Sequence, residues 1–198
     1  LLPTERYGLA HEPTPQESVA AGVGLALFSG DKLLGGPQSG IVVGRRDQVE
    51  LLARHPLARA IRIDKFSLAA LTATLLHYLK GEAVTDIPVW RMIASSEETV
   101  KDRAQLWQKQ LGRGAGVEAA RSAIGGGSLP GETLPSWVLT VSCEDVPGGP
   151  EEVMGRLRRA DPPVVARIEE NRVLLDPRTV LPEEDEPLLR AVRGALGR

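Results

Sequence analysis

Two short apolar runs separated by a glycine-rich connection constrain the fold more than any other stretch of this sequence. The runs span residues 25–28 and 41–43, and each has the length of a β-strand. Between them, Gly30, Gly35 and Gly36 permit turns and close approach of the backbone. The pattern predicts two buried strands joined by a tight connection that carries Lys32.

Lys32 is notable because most lysines are solvated surface charges. A lysine held among glycines at the end of a buried strand indicates contact with a ligand. Once desolvated, its amine is a nucleophile that condenses with an aldehyde such as that of pyridoxal phosphate. From spacing alone, a plain hydrophilic hairpin turn remains the better explanation of Gly30, Asp31 and Lys32.

Length and composition limit the function classes. The 198 residues are 42% hydrophobic, which is enough for a core in one domain or two small ones. The formal net charge is −2, from 24 basic and 26 acidic residues, so no global basic field indicates nucleic-acid binding. Any contact with RNA must therefore be local.

The cysteine count and the hydropathy indicate the cellular compartment in which the protein works. Cys143 is the single cysteine, which excludes an intramolecular disulfide and a cysteine-based metal cluster. We therefore expect no metal site and a reducing, cytoplasmic environment. The sequence has no apolar run of membrane-spanning length and no signal-peptide pattern, so we expect no membrane association.

Arg59 and Arg62 follow Pro56, which is typical of the first turn of a helix. Three residues apart on a helix, the two arginines share one face. Two adjacent guanidinium groups can bind an oxyanion such as a phosphate. Without further information, an arginine ridge facing solvent explains the pair better.

The remaining patterns predict one apolar helix and a small sheet domain. Residues 66–79 are apolar almost all round, which predicts a buried helix. Residues 96–111 predict an amphipathic helix with its apolar side at Val100, Ala104, Leu106, Trp107 and Leu111. Later patterns predict a β-α-β-β-α order with the helices on one face of a sheet. They comprise a strand over 134–143, a helix over 151–159, a hairpin of residues 164–169 and 172–175 around Glu170 and Asn171, and a helix over 183–196; a strand-like passage from residue 117 precedes them.

Four strings in this sequence resemble a known family. SGDKLLGGPQSGIVVGR is similar to the cofactor-lysine segment of bacterial selenocysteine synthases, the L-seryl-tRNA(Sec) selenium transferases. YGLAHEPTPQESVAAG precedes it, while HPLARAIRIDK and GGGSLPGETLPSW follow it, in the family's order. The similarity runs from about residue 7 to the end of the chain.

The resemblance implies a reaction and roles for five residues. It implies conversion of seryl-tRNA(Sec) to selenocysteyl-tRNA(Sec), with pyridoxal 5'-phosphate bound to Lys32 and selenophosphate as selenium donor. Asp31 would assist proton transfer or fix an arginine, and Ser29 would bind the cofactor phosphate. Arg59 and Arg62 would hold the anionic selenium donor.

The resemblance also implies an α/β fold and an assembly. It indicates the C-terminal part of a fold-type-I, aspartate-aminotransferase-like enzyme. Residues 1–80 would be the end of the large cofactor-binding domain, and residues 81–198 a small C-terminal α+β domain. The family implies a homo-oligomer built from dimers. Enzymes of this type place a long α/β segment before the lysine, so we expect this chain to be a fragment that is inactive alone.

Two alternatives remain open at this stage. The parent could be another fold-type-I pyridoxal-phosphate lyase or eliminase of a related subfamily, because similar lysine segments occur there. The chain by itself could also be a non-catalytic assembly module. The glycine-rich segment at 125–132 can expose backbone amides to an anion, but it lacks the lysine and helix of a P-loop, and no role is predicted for Ser128.

Overall fold

The chain forms two compact units in the structure, a computed structural model that describes residues 1–125 and 127–197. Unit 1 comprises Leu1–Ala94 and Ile124–Glu132. Unit 2 comprises Ser95–Ala123 and residues from 133 onward. The predicted domains, 1–80 and 81–198, concern the complete polypeptide, and that division stays a prediction.

Unit 1 consists of one β-hairpin and six helices among its described residues. A short 3-10 turn at Thr4–Tyr7 precedes them. The elements are α1 (Pro15–Ala20), β1 (Leu25–Ser29), β2 (Gly40–Gly44), α2 (Arg46–Arg54), α3 (Pro56–Ile61), α4 (Lys65–Lys80), α5 (Ala83–Asp86) and α6 (Pro88–Ala94).

The predicted hairpin is confirmed, but its strands are not buried. Strands β1 and β2 pair antiparallel, with Leu25 opposite Gly44 and Ser29 opposite Gly40. Most of their residues are half-buried, and Leu27 is 72% exposed. The expectation of two buried strands was wrong because apolar character shows which side chains favour burial and not what covers them.

Local sequence signals explain where α1 and α4 begin and end. Thr14 and Glu17 form a capping box at the start of α1, with Pro15 in the first turn. The Asp64 carboxylate accepts hydrogen bonds from the backbone N–H groups of Phe66 and Ser67 at the start of α4. Gly81 ends α4 with φ 76°, a left-handed conformation that favours glycine.

Helix α4 exists as predicted, but it is not a buried helix. Phe66 is 89% exposed and Leu79 is 83% exposed, whereas Leu71 is the buried residue of α4. An exposed apolar surface on a regular helix is typical of an interaction surface. Within the described ranges, no helix has the length and apolarity that crossing a bilayer requires.

Within its described residues, unit 2 is an antiparallel four-stranded sheet with three α-helices and two short 3-10 helices at Pro177–Thr179 and Pro182–Glu184. Its helices are α7 (Glu97–Leu111), α8 (Gly149–Arg158) and α9 (Asp185–Leu196), and its strands are β3 (Ala115–Ala123), β4 (Thr133–Ser142), β5 (Arg167–Glu169) and β6 (Arg172–Leu175). The strand order is β3-β4-β6-β5. Glu170 and Asn171 form the predicted tight turn, both with positive φ.

The core of unit 2 lies between the sheet and its three helices. Leu139 pairs with Leu175 and Val141 with Val173, so these four residues occupy one face of the sheet. They belong to one buried cluster with residues of all three helices: Trp107 of α7, Val153, Met154 and Leu157 of α8, and Leu188, Leu189 and Val192 of α9. The predicted helix packing on one sheet face is confirmed.

One residue assigned to the apolar side of α7 was predicted wrongly. Val100, Ala104 and Trp107 are buried, as the 3.6-residue period requires. Leu106 is 50% exposed. It directly precedes Trp107, and neighbouring residues on a helix point about 100° apart, so both cannot lie at the centre of the buried side.

Candidate functional site

The predicted lysine lies in a tightly closed loop, residues 30–36, which we call the Lys32 loop. The N–H of Gly36 donates to Gly30 O at 2.8 Å, and the N–H of Gly35 donates to Lys32 O at 2.9 Å. The N–H of Gly30 donates to Ser39 O at 2.8 Å. These hydrogen bonds hold the two ends of the Lys32 loop together and join the loop to Ser39, the residue before β2.

Two glycines of the Lys32 loop are required by its geometry. A Cβ atom at Gly30 would overlap Ser39 Oγ and lie 2.7 Å from Pro37 O. Gly35 has φ 73°, and a Cβ there would overlap Ile87 Cγ2. The loop can adopt its closed shape only because these positions carry no side chain.

Two cavities of unit 1 are lined by Lys32. The first has a volume of about 270 Å³ and is also lined by Glu12, Ser29 and Ser128. The second has a volume of about 410 Å³ and is lined by Asp31 as well as Lys32 and Ser128. Lys32 is exposed, and its amine takes part in no hydrogen bond or salt bridge within the described residues. The amine is therefore accessible to a ligand from either cavity.

Ser29 and Asp31 form a polar pair beside Lys32. Ser29 Oγ donates a hydrogen bond to Asp31 Oδ1. This hydrogen bond, with a smaller contribution from the charge of Lys32, lowers the pKa of Asp31. Asp31 is therefore a carboxylate at neutral pH and can accept a proton or a hydrogen bond. The structure brings Ser29, Asp31 and Lys32 together, as adjacency in the sequence requires.

The cavity of about 270 Å³ fits a ligand that brings both a carbonyl and a hydrogen-bond donor. Glu12 Oε2 is buried and has no hydrogen-bond partner among the residues that the structure describes. Gly127 packs against Lys32, because a Cβ at that glycine would lie 3.4 Å from Lys32 Cε. An amine, an unpartnered acceptor and the Ser29 hydroxyl thus line one cavity, which fits a pyridoxal-phosphate site in part. No pattern in the sequence predicts a role for Glu12.

The predicted arginine pair lies elsewhere on unit 1. Arg59 is in α3, and Arg62 directly follows that helix with an extended backbone of ψ 142°, so the prediction that both arginines lie within one helix was wrong for Arg62. Both are exposed, and neither lines a cavity that contains Lys32. Within the described residues, neither guanidinium group forms a salt bridge or a side-chain hydrogen bond. Both charges are available for an anionic ligand.

A tyrosine and a tryptophan that the sequence analysis did not identify contact the Lys32 loop. Trp90 Nε1 donates a hydrogen bond to Tyr78 Oη at 2.6 Å. The Tyr78 hydroxyl in turn donates to Leu34 O at 2.9 Å and to Leu33 O at 3.2 Å. No local pattern could reveal these contacts, since Tyr78 and Leu34 are 44 residues apart.

Ionisation of Tyr78 gives a first testable prediction. Burial raises the pKa of Tyr78 to about 12, and the hydrogen bond from Trp90 offsets only part of this effect. The folded state therefore favours the neutral phenol, and its contribution to stability is fully present at pH values below the unfolded-state pKa of about 10. This contribution is lost as pH rises from about 10 to about 12.

The measurement is an absorbance titration at 295 nm of the Tyr7→Phe variant, in which Tyr78 is the single remaining phenol because the chain has two tyrosines. We expect a midpoint near pH 10 in concentrated urea and a clearly higher one in buffer. Equal midpoints would contradict the buried hydrogen-bonded state of this residue.

A second polar cluster of unit 1 and part of the glycine-rich segment have no assigned role. Ligand atoms of His77, Glu82 and Asp86 lie within 4.8 Å of one another. However, His77 Nδ1 already contacts Glu82 Oε2 at 3.0 Å, and Lys80 Nζ lies 3.9 Å from the same oxygen. Gly126, the middle of the three glycines in GGGSLPGE, lies outside the described residues.

Comparison with known proteins gives consistent results. The family model for SelA, L-seryl-tRNA selenium transferase, matches residues 1–181. The L-seryl-tRNA(Sec) selenium transferase of Moorella thermoacetica is 48% identical over 203 residues, which cover 99% of this chain and 43% of that protein. The enzyme of the same name from Geobacter sulfurreducens is 44% identical and is also 43% covered. The chain thus spans under half the length of these relatives.

A solved structure shares the fold. The structure of D-glucosaminate-6-phosphate ammonia-lyase superposes on 90% of this chain and 45% of the other, with a TM-score of 0.58 and 20% identity. At this identity the likeness concerns the fold alone. The family match over residues 1–181 and the identities above 40% decide the relationship. The chain belongs to the L-seryl-tRNA selenium transferase family.

Proposed function

We propose that this chain is the C-terminal part of a cytoplasmic enzyme that converts seryl-tRNA(Sec) to selenocysteyl-tRNA(Sec) with selenophosphate. The observation that carries the proposal is the exposed Lys32 amine at two cavities, in a chain of the selenium transferase family. We further propose that the complete polypeptide is a fold-type-I pyridoxal-phosphate enzyme. The fold shared with an ammonia-lyase supports this assignment.

Lys32 is the residue we assign to the cofactor. Pyridoxal phosphate, when bound, supplies an aldehyde that condenses with an amine and a conjugated ring that accepts electrons when a bond at the substrate α-carbon breaks. The glycines of the Lys32 loop allow the tight turns that place Lys32 at the cavity, and its amine is free of other partners within the described residues. Ser29, which lines the same cavity, is the hydroxyl we assign to the cofactor phosphate; to bind it, the Ser29 O–H would turn from Asp31 Oδ1 to a phosphate oxygen.

Proton transfer is assigned to Lys32, and Asp31 is assigned a supporting role beside it. Lys32 Nζ is the base that removes the proton from the seryl α-carbon and the acid that protonates the departing hydroxyl group. Asp31, whose pKa is lowered, stays negatively charged and holds the Ser29 hydroxyl by a hydrogen bond.

Arg59 and Arg62 are assigned to the anionic selenium donor. Their guanidinium groups form no salt bridge within the described residues, so they can pair with selenophosphate.

The exposed apolar side chains of α4, Phe66 and Leu79 among them, are consistent with contacts in a homo-oligomer built from dimers. We expect the chain alone to lack activity because residues of the remaining polypeptide complete the site.

The test of the proposed function uses the complete polypeptide that carries this chain. It is incubated with pyridoxal phosphate, reduced with borohydride and mapped by mass spectrometry. We expect one modified lysine, Lys32, and formation of selenocysteyl-tRNA from seryl-tRNA(Sec) and selenophosphate. A modified lysine elsewhere would overturn the cofactor assignment. Release of a small amino acid or amino-sugar product, with no reaction on seryl-tRNA, would support a related eliminase instead.

The arginine pair provides a separate prediction. Replacing both Arg59 and Arg62 with alanine removes two charge-assisted contacts of about 1.5–3 kcal/mol each. We expect kcat/KM for selenophosphate to fall by about 10²-fold or more, while borohydride trapping at Lys32 is unchanged. Arg54→Ala is the matched control, since Arg54 is an exposed arginine of α2 that pairs with Glu50. Equal activities of the two variants would exclude Arg59 and Arg62 as the donor site.

A further inference from the structure

We propose that Tyr78 and Trp90 are positioning residues that fix the Lys32 loop through its backbone carbonyls. The inference rests on the proposed function in one respect, the assignment of Lys32 as the cofactor lysine. The contacts themselves lie within unit 1, where Tyr78 is in α4 and Trp90 is in α6. Neither side chain needs to contact the reacting atoms for the proposal to hold.

The hydrogen bonds form a chain that ends on the two residues directly after Lys32. The indole N–H of Trp90 donates to Tyr78 Oη at 2.6 Å, and the phenol O–H is shared between Leu34 O at 2.9 Å and Leu33 O at 3.2 Å. A donor that itself accepts a hydrogen bond is polarised and binds its acceptor more strongly. Trp90 thus strengthens the contact that Tyr78 makes with the loop.

Burial makes this chain costly to break. Trp90 is fully buried and Leu34 is 4% exposed, so water does not easily replace a lost partner at either residue. Removing the phenol oxygen leaves the indole N–H without its acceptor and both carbonyls without this donor. A phenylalanine at position 78 keeps the ring and removes only the atom on which all three groups depend.

Within the described residues, the backbone hydrogen bonds of the Lys32 loop do not involve the carbonyls of Leu33 and Leu34. Its own hydrogen bonds use Lys32 O and Gly30 O as acceptors, and these close the turn on the side of β1 and β2. The segment from Leu33 to Leu34 is held from α4, by Tyr78. Loss of that contact frees the loop to open while the hairpin stays paired, which moves the backbone that carries Lys32 Nζ.

The first experiment is amide hydrogen exchange on the 198-residue chain, without cofactor. In Tyr78→Phe we expect the amides of Gly35 and Gly36 to exchange about tenfold faster, while amides of β3 and β4 in unit 2 exchange as before. Tyr7→Phe is the matched control. Tyr7 also packs on Trp90, with ring centroids 5.7 Å apart, and its hydroxyl makes no hydrogen bond within the described residues. Equal exchange in both variants would overturn the proposal.

A second variant keeps the proposal testable if Tyr78→Phe does not fold. Trp90→Phe removes the indole donor but leaves the phenol and its two acceptors in place. We expect a smaller effect, about threefold faster exchange at Gly35 and Gly36, because the phenol still donates to both carbonyls; the polarisation of Tyr78 and part of the packing of a buried indole are lost. If Tyr78→Phe does not fold, Trp90→Phe compared with Tyr7→Phe decides the question. No difference between those two would refute the coupling.

The second experiment measures positioning in the complete polypeptide. The rate of borohydride-trapped modification of Lys32 by pyridoxal phosphate is followed against pH in Tyr78→Phe and Tyr7→Phe. A displaced amine lowers this rate in Tyr78→Phe by about tenfold at every pH, and KM for selenophosphate is unchanged. A rate equal to that of Tyr7→Phe would refute the positioning role. If the unsubstituted protein is not modified at Lys32, the proposed function fails, and the exchange experiment still tests the loop contacts.

Discussion

Replacing Lys32 with alanine is expected to abolish selenium transfer by the complete polypeptide, with a loss of at least about 10³-fold. The loss is large because one amine has two tasks, to hold the cofactor and to move the proton at the seryl α-carbon. Single-turnover formation of selenocysteyl-tRNA measures it. Lys65→Ala is the control, since Lys65 is an exposed lysine at the start of α4 and lines neither cavity that contains Lys32.

The same substitution should leave the fold intact, which separates chemistry from stability. Lys32 is exposed and forms no hydrogen bond or salt bridge in the described part of the chain. Surface substitutions of this kind change the free energy of unfolding by about 0.5 kcal/mol or less. Addition of a small primary amine should restore a measurable part of the activity. A Lys32→Ala enzyme with more than a tenth of the original rate would contradict the assignment.

The hairpin and the lysine loop could be predicted because their signals are local. Two apolar runs, the glycines between them and the lysine lie within twenty consecutive residues. The requirement for Gly30 and Gly35 follows from backbone geometry that only glycine tolerates without overlap. Ser29 and Asp31 were brought beside Lys32 by the chain itself.

Burial was predicted less well than secondary structure. The apolar composition of α4 predicted a helix correctly, but Phe66 and Leu79 face solvent in this chain. Hydropathy indicates that a surface favours contact with another apolar surface, without specifying which segment or subunit provides it. The same holds for strands β1 and β2, whose apolar sequences predicted burial although most of their residues are half-buried.

The parts of the site that sequence analysis missed depend on long-range contacts. Tyr78 reaches Leu33 and Leu34 across more than 40 residues, and Glu12 shares a cavity with Lys32 through the fold of unit 1. A tyrosine in an apolar helix and a glutamate in a loop have no local pattern that distinguishes them from ordinary residues. Only the coordinates identify them.

The contribution of core packing to the stability of unit 2 can be measured at Trp107. This residue is fully buried among side chains of β4, β6, α8 and α9, and Arg103 lies over its ring at 5.5 Å. Trp107 Nε1 has no hydrogen-bond partner within the described residues, so the ring contributes by packing rather than by a polar contact. Its removal leaves a cavity that a closely packed core cannot fill without rearrangement.

Trp107→Ala is therefore expected to lower the free energy of unfolding of unit 2 by about 3–5 kcal/mol. Urea denaturation of the 198-residue chain, followed by far-UV circular dichroism, measures the change. Leu106→Ala is the matched control, because Leu106 is adjacent on α7 and 50% exposed, and we expect it to cost much less than Trp107→Ala. Similar losses for the two variants would show that Trp107 is not the centre of this core, and that α7 packs through a different face.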